Sequence, residues 1–160
     1  MTLTIDITTE DENWVKLLPD SQNMVNKIVK SVLSRFEIKA DEIELSVVLA
    51  NDDFIQELNR DYRGKDRATN VLSFPSEELV PFEYGDLPPY FVMGDIILAV
   101  ETVKAEAIDQ EKSFHDHFVH LMTHGILHLL GFDHIKNDEA EQMEGLEAEI
   151  LAILGVDNPY

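Results

Sequence analysis

HGILHLLGFDH, His124 to His134, places three histidines within eleven residues. Four residues of α-helix rotate the chain by about 40° net and advance it by about 6 Å, so His124 and His128 share one face. Two imidazoles one turn apart can grip a single ion. On a straight helix His134 would lie about 240° round and about 9 Å further along. The chain must therefore leave the helix after His128 and turn back. Gly131 stands where that turn falls, because glycine takes positive φ without steric cost. The stretch thus predicts a central helix that ends at Gly131, with three rings converging at its end.

Three neutral imidazoles suit one Zn²⁺ ion with a water in the open fourth position, as in catalytic sites. Other divalent transition metals, nickel, iron or copper among them, fit the same donors. The competing account is a set of hydrogen-bonded core histidines in a Leu-rich helix; three at this spacing, with the turn glycine in place, favour the metal. The spacing also matches the zinc-binding histidines of one metalloprotease clan, whose water-activating glutamate would occupy position 125. Gly125 stands there instead. That removes both the carboxylate and its bulk, so the backbone can approach a large substrate closely. The general base stays open between metal-activated water and a group outside the stretch. His120 is a packed, hydrogen-bonded histidine in preference to a fourth ligand or a group supporting one. His115 and His117 fall in an acidic, polar turn and are expected at the surface. Asp133 either orients a ligand ring or is an ordinary turn aspartate.

Working outward, TLTIDITTE alternates Leu3, Ile5 and Ile7 with polar residues, as a half-buried strand does. Val25, Ile28, Val29, Val32, Leu33 and Phe36 follow helical spacing, with Asp20 or Ser21 as cap. EIELSVVLA alternates again, and Asn51 caps a short helix carrying Phe54, Ile55, Leu58 and Tyr62. Asn70–Phe74 reads as a short strand closed by Pro75, and the Pro-rich, acidic stretch from Ser76 to Pro89 as irregular. Tyr90–Val100 is the most apolar strand, and its IILAV run implies burial on both faces. One long helix is expected from about Thr102 to Leu130, and a last one from Asn137 to Gly155. The fold class is α+β: a single mixed sheet of about four strands packed by four to five helices, in one domain spanning residues 1–160.

The chain has 160 residues, no cysteine and a formal net charge of −20. Disulfides and thiolate metal sites are excluded. No basic n-region with an apolar stretch opens the sequence, and no apolar run approaches the ~20 residues of a membrane span, so a cytoplasmic protein is expected. The mean field opposes non-specific binding of nucleic acid. Its distribution is uneven, however: Arg60, Arg63, Lys65 and Arg67 fall within eight positions, whereas 13 acids face three Lys/Arg from Glu101 onward.

With HGILHLLGFDH, the stretch ELNRDYRGKDRATNVLSFP (Glu57–Pro75) and MGDIILA (Met93–Ala99), the sequence resembles the bacterial YbeY family. The resemblance implies a metal-dependent endoribonuclease that cuts single-stranded RNA, matures the 3′ end of 16S rRNA and serves ribosome quality control. It implies His124, His128 and His134 as zinc ligands and Arg63 as a residue of RNA cleavage, a phosphate clamp in chemical terms. Taken without the resemblance, Arg63 reads as a surface partner of Asp61 or Asp66. Implied partners are rRNA and the ribosomal subunit or its proteins, with no membrane. Two other readings remain. One is a non-catalytic ribosome-assembly factor with a structural metal, which the acidic body favours; the other is a zinc metallopeptidase.

Overall fold

The computed structural model describes residues 1–160. Strand β1 (Thr2–Thr9) leads through a short helix α1 (Asn13–Leu17) to α2 (Ser21–Arg35), then β2 (Glu42–Ala50) and α3 (Asp52–Arg63). Strands β3 (Val71–Pro75) and β4 (Tyr90–Ala99) follow, and helices α4 (Val100–Asp109), α5 (Phe114–Leu129) and α6 (Asn137–Ile153) complete the order. The four strands form one sheet in the order β1-β2-β4-β3. β1 and β4 run parallel to β2, and β3 runs antiparallel to β4 at the edge. The sheet is mixed and the class α+β, as the alternating and helical periodicities require.

Strand alternation decides the two cores. Leu45, Val47, Leu49, Ile96 and Leu98 point to the face covered by α2 and α5 and join the main apolar cluster. Val48, Ala50, Leu72, Ile97 and Ala99 point the other way and pack with Phe54, Ile55 and Leu58 of α3. β4 is therefore buried on both faces over IILA. Helix α5 runs through the main core, with Phe118, Met122, Ile126 and Leu127 fully buried. Its hydrophobic surround fixes where its last turn, and hence the histidines, must lie.

Two helices depart from expectation. The stretch from Thr102 to Leu130 is not one helix but two, α4 and α5, broken over residues 110–113. Glu111 adopts φ 55°, Lys112 N–H donates back to Ala107 O, and Ser113 Oγ caps the new helix by accepting from Asp116 N–H. Helix α1 was not expected, and it raises the helix count to six. Five residues are too few to show a period; a single anchor holds them. Trp14 is buried, donates its indole N–H to Ala50 O at 2.7 Å and sets its ring edge-on to Phe114 and Phe118. No helix is long and apolar enough to cross a membrane.

Candidate metal centre

The end of α5 is closed by backbone bonds that reverse the chain. Gly131 N–H donates to His128 O at 3.0 Å and Phe132 N–H to Leu127 O at 3.1 Å, with Gly131 at φ 99°. A Cβ at Gly131 would sit 2.2 Å from the Leu79 carbonyl oxygen, so the position is restricted to glycine by conformation and by space. The reversal carries His134 back over the helix end. Its ring centroid lies 5.3 Å from that of His124 and 5.1 Å from that of His128, which are 4.5 Å from one another. One nitrogen of each ring falls within 4.8 Å of the others.

Proton placement shows what this arrangement accepts. His128 Nδ1 lies 2.9 Å from Phe132 O. A carbonyl oxygen can only accept, so that nitrogen carries the ring proton. His124 Nδ1 lies 3.2 Å from Glu147 Oε1, another acceptor. In the neutral rings the two Nε2 atoms are therefore bare, and they face one another at 3.0 Å. Opposed lone pairs with no proton between them fit a shared cation, and tetrahedral coordination at about 2.0–2.1 Å would place them roughly 3.3 Å apart. Burial, with the crowding of neighbouring imidazoles adding to it, pushes His128 down to about 4, which keeps the ring neutral and free to ligate. The donor set fits a divalent transition metal.

Glu147 is the residue that inspection of the sequence overlooks. It is 1% exposed, on the core-facing side of α6 between Met143 and Ile150. Burial pushes its carboxyl up, but hydrogen bonds from His120 and His124 prevail and hold it at about 2. The signal was an acid on the helix's apolar stripe, one turn after Met143. A carboxylate so placed fixes the tautomer of His124 and strengthens its Nε2 as a donor to metal.

Arg63 ends α3 and projects towards the same centre. Gly64, in the left-handed conformation at φ 69°, ends the helix, and Asn59 holds the loop beyond by donating to Arg67 O at 2.9 Å. Arg63 pairs with neither Asp61 nor Asp66: Arg60 takes Asp61 at 2.9 Å, and Asp66 accepts from Gln56. Instead Arg63 Nη2 donates to Ser73 O at 3.3 Å. With Lys65, Arg67 and the three histidines it lines a cleft of about 360 Å³. A neighbouring cleft of about 610 Å³ shares Arg63, Lys65, His128 and His134 and extends past Glu77 and Asp133. The histidine cluster thus faces a basic cleft, on a mixed sheet with α5 behind it.

The model of one protein family, Endoribonuclease YbeY, matches residues 6–155. This chain belongs to the YbeY family. A YbeY endoribonuclease from Paramagnetospirillum magneticum is 46% identical over 164 residues, covering 100% of this chain and 98% of that protein. One from Agrobacterium fabrum is 41% identical, with 99% and 95% covered. The solution structure of TM1509 from Thermotoga maritima shares 26% identity at a TM-score of 0.55, covering 95% of this chain and 92% of that one.

Around this YbeY-family centre, His120 is packed and hydrogen-bonded, with Nε2 3.0 Å from Glu147 Oε1. His117 corrects its surface assignment: it is 2% exposed and bonded through Nε2 to Glu106 Oε1 at 2.8 Å, while His115 is exposed beside Asp116. Glu106 also accepts from Asn70 Nδ2, tying the start of β3 to α4. Asp133 is a turn aspartate that accepts from His134 N–H and orients no ring. Phe132 is buried, its ring packed on Phe36 and Phe82. Gly125 does not open the site to substrate. It is buried, a Cβ there would lie 3.1 Å from Ser73 Oγ and 3.3 Å from Ile96 Cδ1, and its carbonyl accepts from Ser73 Oγ. The glycine lets β3 close on α5.

Proposed function

We propose that the protein is a metal-dependent endoribonuclease that cleaves single-stranded RNA during rRNA maturation, including 16S 3′-end processing and ribosome quality control. The observation that supports it is one cleft holding both a three-histidine centre and three cations, Arg63, Lys65 and Arg67, on a chain of net charge −20. His124, His128 and His134 are the ligands, and Zn²⁺ is the ion, one per chain. A bound divalent ion supplies Lewis acidity and activates water near neutral pH. The chain's own residues do the rest. Glu147 and the Phe132 carbonyl hold the ring protons of His124 and His128 on the sides away from the centre, so both Nε2 atoms remain available. Arg63, steadied by Ser73 O, presents its guanidinium to a phosphodiester and stabilises the charge that builds on it during cleavage. Lys65 and Arg67 draw the polyanion into an otherwise acidic molecule. The lack of a glutamate at position 125 disfavours peptide hydrolysis, since that side of the helix is filled by Ser73 and Ile96.

A cytoplasmic location and contact with ribosomal subunits or their proteins follow from this reading. The experiment that tests it is cleavage of a 5′-labelled single-stranded RNA by protein purified free of contaminating nuclease. Chelator treatment and His124→Ala should each abolish cutting. Equal cutting by the His124→Ala protein would sink the reading. Co-sedimentation with ribosomal subunits tests the partner.

A further inference from the structure

The segment that follows α6 returns to the metal centre from behind. Gly155 turns it at φ 78°, Val156 N–H donates to Leu151 O at 2.8 Å, and Val156 is buried. Tyr160 N–H then donates to Asn158 Oδ1, and the Tyr160 ring stands edge-on to His120 at 5.6 Å. This brings the phenol hydroxyl to 3.1 Å from Glu147 Oε1 and 3.0 Å from Oε2, bridging the carboxylate, with its oxygen 3.2 Å from His120 Nε2.

The two carboxylate oxygens have unequal support. Oε1 accepts from His120 and His124, whereas Oε2 has only the Tyr160 hydroxyl. Without that hydroxyl, a nearly fully buried oxygen would lose its donor. The carboxylate would gain by rotating, and rotation would take Oε1 away from His124 Nδ1. Helix α6 fixes the backbone of Glu147; the phenol fixes its plane.

We propose that Tyr160 is a positioning residue for the metal centre, latching the Glu147 carboxylate in the orientation that holds His124 ready to ligate, and so setting the affinity for the ion. The proposal rests on the reading of the three histidines as ligands. Tyr160→Phe keeps the ring against His120 and removes only the hydroxyl, so folding should survive it.

The test is Zn²⁺ affinity, measured on the full chain by competition with a chromophoric chelator, for wild type, Tyr160→Phe, Glu147→Gln, the double variant and His124→Ala. Groups that support a ligand in this way are typically worth 10–100-fold in affinity. Glu147→Gln should fall in that range and Tyr160→Phe should lose about tenfold. The double variant should bind no more weakly than Glu147→Gln alone, because the hydroxyl acts through the carboxylate. The Co²⁺ absorption spectrum of Tyr160→Phe should shift, which loss of general stability would not cause. If His124→Ala loses binding but Tyr160→Phe binds within twofold of wild type, the latch is wrong and the ligand set stands. Independent, additive losses in the double variant would also overturn it. If His124→Ala binds as wild type does, the ligand set fails and the latch with it.

Discussion

The Nε2 atoms of His124 and His128 face each other across 3.0 Å, with both ring protons held on the far sides by Glu147 and the Phe132 carbonyl. Two lone pairs at that distance repel, and a cation between them turns the repulsion into binding. Stability is therefore linked to metal occupancy. If the proposed ion is Zn²⁺, supplying it at about 100 times its Kd should add about 2.7 kcal/mol to the folded state. In a chain of this length that raises Tm by roughly 5–10 °C. Calorimetry of chelator-stripped protein with and without added Zn²⁺ measures the shift, and His128→Ala should abolish it.

Without metal, the same histidine makes the fold acid-sensitive. His128 is pushed from 6.5 down to about 4 by burial and by its histidine neighbours. A depressed imidazole refuses a proton that the unfolded chain accepts. Its contribution is complete above pH 6.5, falls as the pH drops to about 4, and changes no further below that. Discounted for the partly exposed ring, the loss is on the order of 2 kcal/mol. Glu147, held at about 2 against an ordinary 4.5, adds a second loss below pH 4.5. Urea midpoints of metal-free protein between pH 7.5 and 3 should show both windows. His128→Asn should lack the upper one; an unchanged curve would remove His128 as its cause.

What the sequence could and could not disclose follows from the range of each signal. Strand alternation and the His124–Gly131–His134 spacing are local, and both read correctly into the sheet and the converging rings. The break between α4 and α5 falls in the polar run Asp109–Ser113, which one continuous helical phase from Val103 and Ala107 to Phe114 and Phe118 spans; Glu111 at positive φ and the Ser113 cap make it. His117 looked like a surface residue among acids, yet its partner Glu106 lies on another helix. In the sequence Glu147 is one of several acids in α6. Only the packing of α6 against α5 turns it towards His120 and His124. For residues that bond across elements, spacing shows at most the face they occupy, as for Glu147 on the apolar stripe of α6, and not the partner they meet.

Gly125 tests the contrast with peptidases. Restoring a glutamate by Gly125→Glu would not equip the centre with a base, because the new side chain must start 3.1 Å from Ser73 Oγ and 3.3 Å from Ile96 Cδ1. It buries an unpaired carboxylate and wedges β3 from α5. A loss of about 3–5 kcal/mol in stability is expected, with no peptide hydrolysis. Urea unfolding and a peptide-library digest read the two outcomes. A stable variant that cut peptides would mean that position 125 faces the metal.

The role proposed for Arg63 is to act on the phosphate and not to hold the ion. It reaches Ser73 O rather than any histidine, so Arg63→Ala should leave zinc content per chain unchanged. Loss of a donor to developing phosphate charge should lower kcat by about 10²–10³-fold. Arg63→Lys should recover only part of this, since an ammonium keeps the charge but not the bidentate fork. RNA affinity should also become less salt-sensitive, with the log–log slope falling by about 0.7 for each phosphate contact removed. Cleavage kinetics, metal analysis and salt titration on the same preparations distinguish the possibilities. Lost zinc would assign Arg63 to the architecture of the centre. Unchanged zinc and unchanged kcat would leave the phosphate to Lys65 and Arg67, which line the same cleft.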